Sequence, residues 1–346
     1  MKKTAFLIAC AAMFMSCTDT PPADPVIDPP PPVQRDTTSH DFVWEVDTIG
    51  LPFGMINDVS IVAENDIWVV GRFDQMGDDG LIDYEKRSNA AHWNGQAWTY
   101  HKAIDTAYKS CAERHRVFAA NESNIWFMSV DGRQWDGKRF LPVKLSDGGF
   151  RTLVRALWIS EDLNTRVFVG DNSSISFWDR GRYVRPWSVP PGDYTDVQGL
   201  GNGDVLISLR TPLGFDGQIH RMSRDGNITL VAEYLGLGIN NFAVLSDSIY
   251  FNTNGSLYKA KGTHVREIFS SENTIHCFEA NASNDYFVLT FPLQLHHFNG
   301  STFKEIGPSY PHFFWPFALD VKGDLAVFVG DGPEQRSLIF RGKRRK

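Results

Sequence analysis

The sequence predicts an all-β chain folded as a seven-bladed propeller with four antiparallel strands in each blade. Three observations carry this reading. A short turn ending in glycine recurs seven times, and a polar turn that leads into an apolar, β-branched run recurs in the same phase. The last repeat lacks its fourth strand, while an orphan strand stands ahead of the first repeat.

The first element is a targeting segment. Lys2 and Lys3 precede the apolar run "TAFLIACAAMFMS", which is too short to span a bilayer. "FMSC" resembles the lipobox of bacterial lipoproteins, in which a small residue precedes a cysteine that is acylated and becomes the mature N-terminus. The resemblance implies a signal peptide over 1–16 and lipidation at Cys17, although Phe14 stands where the lipobox prefers Leu. "LIAC" at Cys10 is the alternative, with an apolar stretch of only about five residues before it, against the 7–15 usual for a signal peptide. An ordinary secreted protein cleaved after small residues is the bland reading. Loss of residues 1–16 removes Lys2 and Lys3 and no acid, lowering the formal charge from −7 to −9.

Residues 17–40 form a linker. Its seven prolines between Pro21 and Pro32 favour extended polyproline II and bury no core, so it spaces the domain from the lipid surface. Asp19 and Asp24, soon after Cys17, resemble the surface-export pattern of Bacteroidetes lipoproteins. These features together imply export across the inner membrane and anchoring to the outer membrane of a Gram-negative bacterium, with the lipid as the only membrane contact.

Residues 41–346 form the propeller. The glycine turns open "NGQAWTY" (94–100), "DGKRFLPV" (136–143), "RGRYVRPW" (180–187), "DGNITLVA" (225–232), "KGTHVREI" (261–268), "NGSTFKEI" (299–306) and "RGKRRK" (341–346). Their glycines lie 36 to 45 residues apart. Asn-Gly and Asp-Gly suit type I′ hairpins, whose two central residues both need positive φ, so each pair marks the hairpin from third to fourth strand. The second signal is "ENDIWVVG", "ESNIWFMS", "LNTRVFVG", "NGDVLISL", "SDSIYFNT", "SNDYFVLT" and "KGDLAVFVG", each preceded by another apolar strand such as "NDVSIVA" or "VRALWIS". Four strands per repeat of this length is the pattern of a propeller blade. No segment keeps a helical period beyond two turns.

The seventh repeat offers strands at 316–322, 325–331 and 336–341, and "DFVWEVDTI" (41–49) supplies the missing fourth. The N-terminal strand therefore closes the last blade and removes an open edge. Six or eight blades are the alternatives. The wording "NDIWVVG … HWNGQAW" resembles the repeats of secreted bacterial propellers of the kelch-like and galactose-oxidase-like kind over nearly all of 41–346. The resemblance implies fold only, since that fold hosts hydrolases, lyases, oxidases and pure binders.

Charge and motifs narrow the function. A net charge of −7 and a pI near 5.8 exclude nucleic acid as the main partner. The ten His are scattered without H-x-H, H-E-x-x-H or CxxC spacing, so no metal centre or cofactor is expected. The galactose-oxidase copper ligands have no counterpart. Cys111 and Cys277 fall in distant repeats and are expected to be unpaired. In the acidic stretch 73–86, Asp74, Asp78 and Glu85 take the first, fifth and twelfth places of a calcium loop, but the required glycine falls one place late, at Gly80. That segment reads as a solvated insertion. There is no G-x-S-x-G elbow and no sialidase Asp-box.

The loops at one end of a propeller surround the mouth of its channel. Here they carry Phe53, Tyr194, Phe215, Tyr310, His312, Phe313, Phe314 and Trp315, an aromatic surface suited to stacking on a sugar or anchoring a protein. Arg114, Arg116 and Arg151, at or before the starts of innermost strands, could meet an anionic group. The expected function is therefore a binding module for a glycan or protein ligand, acting as a monomer, with candidate contacts Phe53, Tyr194, Phe215, Tyr310, His312, Phe314, Trp315, Arg114 and Arg151. The alternatives are a glycosidase or lyase working at the channel mouth, and a structural subunit of an envelope assembly. Two channel-facing carboxylates would favour the enzyme, and a shallow aromatic platform would favour binding.

Overall fold

A computed structural model describes residues 38–103, 115–129, 132–145, 153–160, 162–170, 173–186, 189–212, 216–262, 264–309 and 314–345. Cys10, Cys17, Cys111, Arg114, Arg151, Phe215, Tyr310, His312 and Phe313 lie outside them.

Why the second strand of each blade is so apolar is answered by its two faces. In the second strand of blade 1 (Asp66–Met76), Ile67 and Val69 pack toward blade 7, while Trp68 and Val70 pack toward blade 2. Successive strand residues point to opposite faces, so a sheet wedged between two neighbours must be apolar on both. The buried residues fall into seven clusters, one at each seam between adjacent blades, and together they run round the ring.

Each of the seven sheets holds four antiparallel strands. The innermost strands are Met55–Ala63, Arg116–Asn121, Val154–Ile159, Asp193–Gly199, Asn241–Leu245, Ile275–Ala282 and Trp315–Lys322, for blades 1 to 7 in order. Among the described residues the single helical element is a three-residue 3-10 turn, Pro333–Gln335. No helix there is long and apolar enough to cross a membrane.

Blade 7 is closed as the sequence requires. Phe42–Ile49 pairs antiparallel with Ser337–Arg344, from Phe42 opposite Arg344 to Ile49 opposite Ser337. Two details differ from the sequence reading. Arg341-Gly342 forms no turn: the third strand runs through it to Arg344, because its partner arrives from the other end of the chain. Gly342 is needed there for packing, since a Cβ would sit 2.5 Å from the Trp44 ring.

The other six glycine turns do form the expected hairpins, but only Arg180-Gly181 has positive φ at both residues. In several of the rest the polar side chain before glycine builds the turn. Asn94 Oδ1 accepts from the backbone N–H of Gln96 and Ala97 (3.0 and 2.9 Å), and Asp136 and Asn299 act alike.

In blades 1, 2, 4 and 6 the polar residue at the start of the second strand also has a physical role. Asp66 accepts from Trp68 Nε1 (3.0 Å) and meets His92 Nε2 on the third strand (2.9 Å). Asn124 accepts from Gln134, Asp204 from Arg221, and Asp285 pairs with His297 (2.7 Å) in the same diagonal arrangement. In these blades the repeat thus encodes a hydrogen bond tying second strand to third near the end of the blade away from the mouth.

Candidate ligand-binding channel

An innermost strand is the edge of its sheet, so half its backbone N–H and C=O groups face the channel without a ladder partner. Side chains of the neighbouring blade supply partners. Asp58 Oδ2 accepts from Val117 N (2.9 Å), Asp196 Oδ2 from Phe242 N (3.1 Å), and Asp320 Oδ2 from Ile61 N (2.6 Å). Arg116 Nε donates to Arg155 O (2.6 Å), Asn241 Nδ2 to Phe278 O (2.8 Å), and the Cys277 thiol lies 3.6 Å from Phe317 O. These contacts bridge six of the seven seams. At the remaining one, between blades 3 and 4, the Trp158 ring lies so close to Gly199 that a Cβ there would overlap it.

The same side chains enclose a cavity of about 300 Å3 on the axis. Arg116, Arg155, Asn241 and His276 stand at the first or second residue of their strands, hence at the mouth. Asp58 and Asp196 stand at the fourth, Glu279 at the fifth and Asp320 at the sixth, one to two turns of the pleat deeper. The result is a cationic rim over an acidic throat.

Burial dominates the throat. It lifts the Asp58 carboxyl above its usual range against the pull of Arg116 and of the Val117 and Val59 N–H groups. It raises Asp196 to about 6 despite hydrogen bonds from Phe242 and Val197. Asp320 rises to about 7, through burial and the charge of Asp58, with the Ile61 N–H opposing. Glu279 is pushed well up by burial and by Asp320, Asp196 and Asp58 together. Burial likewise takes the Cys277 thiol to about 12, so it is no nucleophile near neutrality. Cys277 is free. Among the described residues, no three His, Cys, Asp or Glu side chains come together to hold a metal ion.

The aromatic residues expected at the mouth divide. Trp315 opens the innermost strand of blade 7 and is 46% exposed, its ring against Phe291 and His276. Phe53 is 62% exposed on the loop into blade 1, held at φ 67° with its N–H on Gln335 O (3.1 Å). Tyr194 and Phe314 turn inward. Tyr194 is 1% exposed in the seam of blades 3 and 4, its hydroxyl donating to Pro190 O (2.9 Å). Phe314 is fully buried against Phe328 and Phe340. A propeller seam absorbs bulky rings wherever the chain crosses from one blade to the next, which loop position alone does not reveal.

The acidic insertion is a hairpin. The second and third strands of blade 1 continue into it, with Gln75 opposite Asp83 and Met76 opposite Ile82. Asp74 is buried and paired with Arg87 (2.5 Å) and Arg72 (3.8 Å), while Asp78 reaches Lys86 (3.4 Å) and Glu85 is exposed. Asp74 is thus an ion-pair partner of two arginines within the hairpin.

Of the channel acids, the sequence carried one unread signal. Asp58-Val59, Asp196-Val197 and Asp320-Val321 each place a carboxyl beside valine in an innermost strand where apolar or neutral residues are the rule.

No protein-family model matches the chain, and no curated protein matches its sequence. Solved structures match its fold. YCF48 bound to a peptide superposes with a TM-score of 0.62 at 12% identity, covering 88% of this chain and 97% of its own. An inactive virginiamycin B lyase from Staphylococcus aureus with quinupristin gives 0.57 at 10% identity, covering 88% and 100%. An extracellular domain assigned to a one-component system of B. thetaiotaomicron gives 0.60 at 9%, covering 86% of this chain and 40% of that one. At such identities the likeness is one of fold: the chain is a β-propeller, similar to propellers that include peptide-bound and ligand-bound examples.

Proposed function

We propose that the protein is a lipid-anchored envelope propeller that binds an extended peptide segment of a partner at the channel mouth, as a monomer. The observation that carries this reading is the cavity on the axis, polar-lined and overlooked by the exposed ring of Trp315. A concave polar pocket with one aromatic at its rim suits a peptide side chain with its backbone lying across the mouth. A glycan platform would need several exposed rings, and of the described candidates only Phe53 and Trp315 provide one. The peptide bound to YCF48 supports the use of such a fold for a peptide ligand.

Immobilised wild-type protein screened on peptide and glycan arrays is expected to retain peptides, and Trp315→Ala combined with Phe53→Ala to lose them by about tenfold, as removal of a rim anchor costs ~1–2 kcal/mol or more. Retention of glycans alone would refute the peptide reading. The anchor is tested apart from the site: Cys17→Ser is expected to abolish incorporation of a labelled fatty acid and Cys10→Ser to leave it intact, and the reverse would move the anchor.

A glycan-processing enzyme is the second reading, favoured by Asp196 and Asp320 lying near neutrality, where acid and base catalysts sit. Against it, Asp58, Asp196 and Asp320 each commit an oxygen to the backbone of the next blade. A single uncommitted carboxyl, Glu279, leaves no acid–base pair.

A further inference from the structure

We infer that the channel receives a cationic side chain, lysine or arginine, of the bound peptide, with Glu279 as its counter-ion; this rests on the channel being the binding site. Glu279 is the one throat carboxyl that accepts no hydrogen bond, and it stands half-buried on the wall of the cavity. A buried acceptor with no donor is costly, and ordinarily finds a partner. Asn241 has the same deficit. Its amide nitrogen is fixed by Phe278 O, which leaves its buried Oδ1 without a donor. The Oδ1 of Asn240, beside it on the lining, also lacks one.

The lining therefore offers acceptors in excess, and an ammonium or guanidinium group supplies donors only. Arg116 does not meet this need from within. It is occupied by the carbonyls of Arg155 and His115. A metal ion is the poorer fit, because among the described residues no three carboxyl, thiol or imidazole groups converge on one point. A cavity of about 300 Å3 admits a side chain rather than a folded element.

Binding then couples to proton release. The groups facing Glu279 are the carboxyls of Asp320, Asp196 and Asp58 and the neutral thiol of Cys277, while Arg116 acts on Asp58, Asp196 and Cys277. Burial and the neighbouring acids raise the Glu279 carboxyl well above its usual range, and an arriving cation favours its ionised form. Affinity must rise with pH, by up to about tenfold per unit for one proton released.

The experiment is titration calorimetry of the full chain with acetyl-Gly-Lys-Gly-amide and its Arg counterpart, against the norleucine peptide, at pH 6, 7 and 8 in two buffers of different ionisation heat. The expected result is binding of the Lys or Arg peptide alone, release of about one proton, and tightening of roughly 3- to 10-fold from pH 6 to 8. Glu279→Gln, which keeps the shape and removes the acid, is expected to retain the melting temperature while losing the proton release and at least about tenfold in affinity. Cationic peptides that bind without proton release, or equally to Glu279→Gln, would overturn the inference and leave the peptide-binding reading standing. The same holds if they fail to bind while array peptides still depend on Trp315. Failure of both kinds of peptide would overturn both.

Discussion

At the scale of single residues, four carboxyls in one narrow throat set the pH response. Asp320 illustrates the sign. Its carboxyl titrates near 7 in the folded chain and near 4 when unfolded, so the folded state holds the extra proton between those values. Stability therefore falls as pH rises from about 4 to 7, and the penalty is complete above that. Asp320→Asn keeps an oxygen for the Ile61 N–H and removes the charge. It is expected to stabilise the protein at pH 8 by roughly 2 kcal/mol, to change little at pH 4, and to flatten the intervening slope in urea titrations. Asp285 runs the other way. Burial raises it, but hydrogen bonds from His297, Arg344 and Asn281 together hold it below its usual range. Its contribution is present above pH 4 and is lost as pH falls through its lowered folded value.

At the scale of elements, the blade is a modular unit that tolerates additions at its turns. The blade-1 hairpin projects past its sheet and leaves Met76, Leu81, Ile82 and Tyr84 exposed. Replacing residues 77–81 by Asn-Gly is expected to change stability by less than about 1 kcal/mol, read as an unaltered melting temperature, since little apolar surface is recovered on folding there. The period of the sequence was legible because most blades repeat the same local solution: an Asx or glycine turn and a strand buried on both faces, with a polar tie at its start in several. What escaped the sequence is what differs from blade to blade. Asp58, Asp196 and Asp320 look like isolated acids until the ring brings their strands side by side. Tyr194 and Phe314 look like surface aromatics until the seams claim them. The bulk of an aromatic ring is visible in one dimension, and its direction is not.

At the scale of the whole molecule, the ring is held by seven seams and one splice. The splice joins Phe42–Ile49 to Ser337–Arg344 and gathers a buried network about it. His297 meets His40 (2.9 Å) and Asp285, and Asp285 accepts from Arg344 (2.6 Å). Trp44 adds a hydrogen bond to Ile306 O (2.7 Å), and Arg341 reaches Asp47 (2.8 Å) beneath the Trp93 ring. Deleting residues 38–49 exposes the edge of Ser337–Arg344 and leaves Arg344 with less cover. The truncated chain is expected to lose at least about 3 kcal/mol and to associate, measured by urea denaturation and light scattering. A monomer of undiminished stability would show the splice to be ornamental.

The splice also gives the protein a clock. Phe42 and Arg344 are about as far apart along the chain as the domain allows, so the loop to be closed is long and its pairing slow. A chain threaded N-terminus first through a membrane cannot pair its first strand until Ser337–Arg344 has followed. Until then Phe42–Ile49 has no third strand to pair with, and blade 7 is incomplete. If the chain is exported as proposed, completion of the ring would report completion of delivery, and a chain cut short before Ser337 would leave Phe42–Ile49 without its partner strand.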